Sequence, residues 1–498
     1  MSDLGAPSVS TPPTPPPAPS RDIPVWVLAV AIAIMLALVA VVAVVVVRGT
    51  AASPKASYPA QWDSRIAPYA HIAEQKRGLT FKHPVAVRFM QPAAFEKTVS
   101  ADEKKLNADD RAEIKHFTAL MRAFGLISGN VDLYNAFKDA YGGGTLAYYS
   151  FDDQRISVRG ETITPAVRPT LVHELTHALQ DQYFDVGDRM QKLAKKAEKG
   201  PDTSASSVLE SINEGDAERV ATLYRGTLNA RQRKALAASE KAQSTEADTR
   251  MKGIPKIVLT LIGAPYALGQ GLVETVAADG GNASVDKLFR HPPTHEATLL
   301  DPFRALTGEN GATDVATPKL AAGEKKFESG EFGVLTWYLM LAQRLPLRDA
   351  LAAADGWGGD AYVGYEHDGT SCARIDYAGR NTADTTRMLG ALQRWIARVP
   401  GTPASAGREG KLVRFQSCDP GKTVRIGKDE SQDALTLVAT RAGLGAVFLR
   451  AGAQTEVARC AAGKLVAAFP VSKLTDPKFG VKDPAVIARV RQLVAGCR

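Results

Sequence analysis

The sequence predicts an α+β chain with a mainly helical body, a β-hairpin just ahead of its most informative helix, a small C-terminal α+β domain and one N-terminal transmembrane helix. Three observations carry that prediction. Apolar residues recur at helical spacing, clearest in ADEKKLNADDRAEIKHFTALMRAFGLI, where Ile114, Phe117, Leu120, Met121 and Phe124 form one stripe. Two β-rich runs, Tyr148–Phe151 and Arg155–Val158, are split by Asp152 and Asp153, as in a hairpin with a tight acidic turn. Beyond Pro400 the texture shifts to short β-prone runs, KLVRFQSC, LTLVATR and GAVFLRAG, closed by the helical PAVIARVRQLVAGC.

The chain has 498 residues, 45% of them hydrophobic, enough for more than one domain and a sizeable core. Residues 1–23 are proline-rich with few apolar side chains and read as a disordered tail. Residues 24–47, PVWVLAVAIAIMLALVAVVAVVVV, carry no charge and are closed by Arg48. At about 1.5 Å per residue this run exceeds a hydrocarbon core of about 30 Å, so it reads as a membrane anchor. A cleavable signal peptide is the rival, but its apolar region spans only about 7–15 residues. Residues 48–62, rich in small residues and proline, form a tether. Residues 63–400 make the body and residues 401–498 a separate C-terminal domain of about a hundred residues, an ordinary domain size.

Within the body, Thr164 and Pro165 suit the cap and first position of a helix running through HELTHALQDQYF, His173–Phe184. A second helix begins near Ser206 in SSVLESINEGDAERVATLYRGTL, and the charged NARQRKALAASEKAQSTEADTRMK separates it from apolar helices at Ile254–Ile262 and Tyr266–Val276. GWGGDAYVGYEHDGTSCARIDY alternates about Asp368-Gly369 as a second hairpin, followed by the helical DTTRMLGALQRWIARV.

The four cysteines, Cys372, Cys418, Cys460 and Cys497, lie in the last quarter without a CxxC pair, which fits two disulfides in an oxidising compartment. Four free thiols in a cytosolic domain are the alternative, and three connectivities stay open. Charge counting about the span, Arg21 against Arg48 and Lys55, does not set orientation. The cysteines favour a short cytoplasmic tail and an exported body. The net charge of +8 is spread widely and no nucleic-acid motif accompanies it, so no nucleic-acid partner is expected.

His173 and His177 are four residues apart and share a helix face, a spacing that suits two ligands of a zinc ion. Glu174 beside them is placed to take a proton from water activated by the metal. This is the HExxH pattern. The competing reading is an amphipathic helix that happens to carry histidines. A hydrolytic zinc site needs a third ligand, and Glu214 in SINEGDAERVA is the best candidate, with Glu218 one turn on to hold an imidazole and Glu210 one turn back as an alternative in another register.

On HELTHALQDQYF followed by Asn213-Glu214, the sequence resembles the gluzincin metallopeptidases, whose thermolysin-like members carry HExxH on one helix and a glutamate, often within NExxxD, on the next. Glu218 stands where that family has aspartate, and the interval between the two motifs is longer. The chain looks closer still to a group of largely uncharacterised, often membrane-anchored bacterial zinc-peptidase-like proteins. The shared patterns are HELTHALQDQYF, EGDA at Glu214–Ala217, HPPTHEATLLDP and GWGGD at Gly356–Asp360, all within residues 140–377. The likeness implies a zincin-like body. HPPTHEATLLDP also looks like the HPP segment of integral-membrane gluzincins, which implies that His291 or His295 stabilises an oxyanion, a proline-fixed turn with surface histidines being the alternative. The Tyr148–Val158 hairpin then supplies the edge strand along which an extended protein or peptide substrate aligns. A membrane-anchored, extracytoplasmic zinc peptidase is the expectation. A non-catalytic envelope scaffold on the same fold and a zinc amidase acting on peptidoglycan peptides are the alternatives.

Overall fold

The computed structural model describes residues 58–99, 107–197, 204–309, 311–399, 401, 403–425, 427–476, 479 and 483–497. The expected tail, membrane span and most of the tether lie outside the described residues. Over the described residues the chain is mixed α+β, 58% helix and 13% strand.

Helix α1 (Ala67–Arg77) stops at Gly78, whose φ of 74° needs a residue without a Cβ. It leads to β1 (Ala86–Met90), a strand hidden from the sequence reading among helical neighbours. The periodic stripe becomes α2 (Ala108–Ala123), begun by an Asn107 capping box with Asp110. The first hairpin forms as expected from β2 (Ala147–Ser150) and β3 (Arg155–Arg159), with Gln154 in the left-handed turn region at φ 47°. The sheet order is β1-β3-β2, β1 parallel and β2 antiparallel to β3, which leaves β2 at an edge. Helix α3 (Val167–Phe184) starts a little later than Thr164 and Pro165 suggest, although Thr164 Oγ1 still accepts the Val167 N–H at 3.4 Å.

Helix α4 (Ala205–Thr227) follows, and the charged segment after it is itself a helix, Ala230–Arg250. The two expected apolar helices are one, α5 (Lys256–Arg290), which runs through Pro265 and bends where Gly280 and Gly281 leave helical geometry. By length and composition α5 could cross a membrane, but 72% of its most apolar window is buried inside the protein, as in a core helix. Helices α4 and α5 cross with their backbones in contact. A Cβ on Gly269 would lie 1.7 Å from the Ser211 carbonyl oxygen, and one on Gly215 2.1 Å from the Gly269 carbonyl carbon.

A second, antiparallel sheet has the order β4-β5-β6-β8-β7, from β4 (Lys325–Gly330), β5 (Trp357–His367), β6 (Thr370–Gly379), β7 (Ala404–Glu409) and β8 (Leu412–Cys418). The second hairpin is β5–β6, turning at Asp368-Gly369, both with positive φ. The expected domain boundary at residue 400 falls inside this sheet. Residues Tyr377 to Cys372 of β6 pair with Val413 to Cys418 of β8, so the C-terminal segment completes the body's sheet instead of standing apart. Two of its β-prone runs, LTLVATR and GAVFLRAG, lie in one helix, α6 (Ser431–Arg450). The buried residues Ala434, Leu437, Val438, Ala442, Gly445, Ala446 and Leu449 keep helical period, and this face packs on α5, with Gly271 against Ala442. Period outweighed β-propensity. Helices α7 (Thr455–Ala468) and α8 (Pro484–Ala495) close the chain. The disulfides are Cys372–Cys418, joining β6 to β8, and Cys460–Cys497, joining α7 to the end of α8. One apolar cluster runs from Ile66 to Leu474 through both sheets.

Candidate metal centre

HELTHALQDQYF sits on α3, which packs against α1, α4 and β2. Nearly every residue of it is buried, polar ones included, so it is a core helix and not a surface amphipathic one. Its histidines therefore need partners.

Those partners come from α4. The Nε2 atoms of His173 and His177 lie 3.1 and 3.3 Å from the same Glu214 Oε2, and the rings stand edge to face with centroids 4.6 Å apart. Ligand atoms of the three residues all fall within 4.8 Å of one another. Bonds of about 2.0–2.1 Å to a tetrahedral ion would set donor atoms about 3.3 Å apart. The donor set of two imidazoles and a carboxylate, and the spacings present, fit such an ion. Glu214 is fully buried, and its other oxygen, Oε1, has no hydrogen-bond partner.

Burial and the neighbouring charges move all four titratable groups of the HExxH turn and Glu214. Burial opposes charge on His173, but the hydrogen bond to Glu214 and the nearby Glu218 carboxylate outweigh it and carry the imidazole up to about 10. His177 moves upward as well, its burial offset by Glu214. Burial likewise opposes charge on Glu214, yet His177 and His173 hold it down to about 2. Glu174 is pushed up by burial against the pull of the two imidazoles, and its Oε2 accepts the Tyr149 N–H of β2 at 2.7 Å.

Glu218 stands where the sequence reading placed it, with Oε2 3.7 Å from His173 Nδ1, an ion-pair distance beyond hydrogen-bond reach. Glu210 is buried one turn before Glu214 with Oε1 unpartnered, and it does not join the ligand group. His177 Nδ1 meets Gln180 Oε1 and the Asn213 amide, each at 2.9 Å. Gln180 escaped the sequence reading, although its i+3 spacing from His177 places it on the same face. Tyr266, brought in by the glycine contact between α4 and α5, lies over His173 with ring centroids 6.1 Å apart.

The two histidines of HPPTHEATLLDP are not brought into this group. His291 is exposed at the end of α5, and His295 pairs through Nδ1 with Glu331 at 3.0 Å. That segment also braces the start of α4. Glu296 accepts from Ser207 near the start of α4 and from the Leu335 N–H of the helix Val334–Ala342. Asp360 of GWGGD accepts from both Trp337 and Trp357 indoles and from the Phe332 N–H, a packing role.

Compared with family models, curated proteins and solved structures, the chain shows no match.

Proposed function

We propose that the chain is a zinc-dependent peptidase whose centre is His173, His177 and Glu214, with Glu174 as general base. The observation that carries the reading is the convergence of two Nε2 atoms on one carboxylate at ligand spacing, with a second buried carboxylate from the same HExxH turn beside them. Three protein ligands of this kind leave a position open, which separates a hydrolytic centre from a closed structural one. A zinc ion held there would supply Lewis-acid chemistry toward water and a scissile carbonyl.

The chain's own residues do the rest. Glu174, its proton affinity raised by burial, takes a proton and returns it to the leaving amine. Its contact with the Tyr149 N–H ties the base to edge strand β2. Because that N–H points away from β3, the same edge offers backbone groups to an extended peptide. We place the body outside the cytoplasm, supported by its two disulfides and by the 24–47 apolar run read as an anchor. This makes the chain a gluzincin-like, membrane-anchored enzyme.

One observation favours the scaffold reading instead. The four site residues are at most 3% exposed, so substrate entry requires movement. Metal analysis of the exported protein, paired with cleavage of a broad peptide library, separates the two. Near-stoichiometric zinc with cleavage that Glu174→Gln abolishes supports the peptidase, zinc without cleavage supports the scaffold, and absence of zinc overturns both metal readings.

A further inference from the structure

The polar partners of His177 continue into the protein as a directed chain. Gln180 donates through Nε2 to the Asn213 carbonyl at 3.0 Å and to Asp216 Oδ2 at 3.1 Å. Asp216, fully buried, also accepts from the guanidinium groups of Arg77 and Arg219. Arg77 is itself fully buried and reaches Asp286 at 2.7 Å, while Arg219 reaches Asn282 at 2.6 Å. Asn282 and Asp286 lie just beyond the Gly280-Gly281 bend, which turns the end of α5 back toward α1 and α4.

The direction of each hydrogen bond follows from its neighbours. A carboxylate between two guanidiniums can only accept, so the Gln180 –NH2 must face Asp216. The Gln180 carbonyl oxygen must then face His177, and only a protonated Nδ1 can satisfy it. In the structure the Asn213 carboxamide sets Nδ2 2.9 Å from the same Nδ1 and leaves Oδ1 without a partner, so an Nδ1–H requires that amide, whose two ends are alike in shape, to be turned round.

We propose that Gln180, oriented by Asp216 and the buried Arg77–Arg219 pair, is a positioning residue that fixes His177 in the Nδ1–H form and so aims the Nε2 lone pair at the metal position. The proposal rests on the metal reading of the His173, His177 and Glu214 group, but the tautomer itself can be observed without metal. It also explains why α1, remote in sequence, contributes an arginine to this part of the core.

The test uses the full-length chain with 15N-labelled histidine. Because Glu214 Oε2 lies 3.3 Å from His177 Nε2 and itself draws a proton there, the tautomer is read in the metal-free Glu214→Ala background, where long-range 1H–15N spectra at a pH where the His177 ring is neutral should show Nδ1 carrying the proton. Gln180→Met, which removes donor and acceptor at similar volume, should give a mixture of tautomers, and Gln180→Glu, which keeps the acceptor, should restore the Nδ1–H form. Zinc competition against a chromogenic chelator should show Gln180→Met weaker by about 10- to 100-fold, with unchanged circular dichroism. Gln180→Met with wild-type zinc affinity and an unmixed tautomer would overturn the proposal. If the wild-type chain takes no zinc, the metal reading fails by itself. The Glu214→Ala spectrum then decides alone, a fixed Nδ1–H supporting the positioning role and a mixture ending it.

Discussion

At Glu214 one carboxylate answers to two imidazoles, and its neighbours a helical turn away on either side differ from it only in what they meet. Glu218 reaches His173 Nδ1 at 3.7 Å, whereas Glu210 Oε1 meets nothing, and burial followed by the nearby Glu214 charge pushes the Glu210 carboxyl well above its usual range. Zinc occupancy should therefore be lost in Glu214→Ala, fall by about 10- to 100-fold in affinity in Glu218→Ala and stay near wild type in Glu210→Gln, read by chelator competition. Loss of zinc in Glu210→Gln with retention in Glu214→Ala would move the ligand assignment back by one turn. A second consequence concerns protons. In the metal-free protein His173 is carried from 6.5 up to about 10, so at neutral pH a binding cation must displace its proton. Zinc affinity should rise with pH, about tenfold per unit for each proton displaced, and level off above about pH 10. Calorimetry in buffers of different ionisation enthalpy should show proton release near pH 7, and a flat pH profile would contradict the His173–Glu214 pairing. At this scale the sequence was readable wherever a placement follows from spacing along one helix, as for His173, Glu174, His177 and Glu218. The roles of Arg77 and Asp216 depend on contacts between helices far apart in sequence, which no local pattern encodes.

The site's geometry depends on how closely α4 and α5 approach. With Gly269 against the Ser211 carbonyl and Gly215 against the Gly269 backbone, neither helix can accept a side chain at the crossing without moving away. Gly269→Ala should therefore lower stability by several kcal/mol, at or beyond the upper end of the about 1–3 kcal/mol typical of overpacking, and weaken zinc binding by displacing α4. Gly443, exposed on helix α6 with nothing within 4 Å of an added Cβ, is the control. Gly443→Ala should stabilise by about 0.5–1 kcal/mol. Thermal unfolding of the two variants checks both signs, and equal behaviour would remove the close-crossing argument. Both glycines look alike in sequence, which is why the crossing was invisible there. The second hairpin was legible because its turn residues, Asp368-Gly369, are local. Strand β1 was missed because its five residues lack a turn signal and gain their pairing from β3, more than sixty residues later.

Over the whole molecule the last quarter is held in two different ways, and the two disulfides mark the difference. Cys372–Cys418 staples adjacent strands in the middle of the five-stranded sheet, where Cys372 is buried beside Val363 and Tyr365 and the strands are paired along their length. Cys460–Cys497 instead ties α7 to a helix, α8, that has no buried residue of its own. Loop closure puts each bridge at about 4 kcal/mol for separations of 46 and 37 residues, so size alone does not rank them. Their surroundings do. Removing Cys460–Cys497 with serines should free α8 locally, giving early proteolysis near residues 470–497 while the melting temperature of the body and its zinc affinity stay near wild type, because little apolar area holds α8 in place. Removing Cys372–Cys418 should leave α8 protected and act on the body as a whole, since β8 joins the C-terminal segment to the sheet and its Ser417 donates to the Ala123 carbonyl at the end of α2. Limited proteolysis read by mass spectrometry, alongside thermal unfolding of both double-serine variants, separates the outcomes. If both variants lost α8 and the body together, residues 401–498 would be one cooperative unit with the rest. If neither melting temperature moved, the β6–β8 pairing alone would hold the C-terminal segment to the body, and the Cys372–Cys418 bridge would add nothing to it.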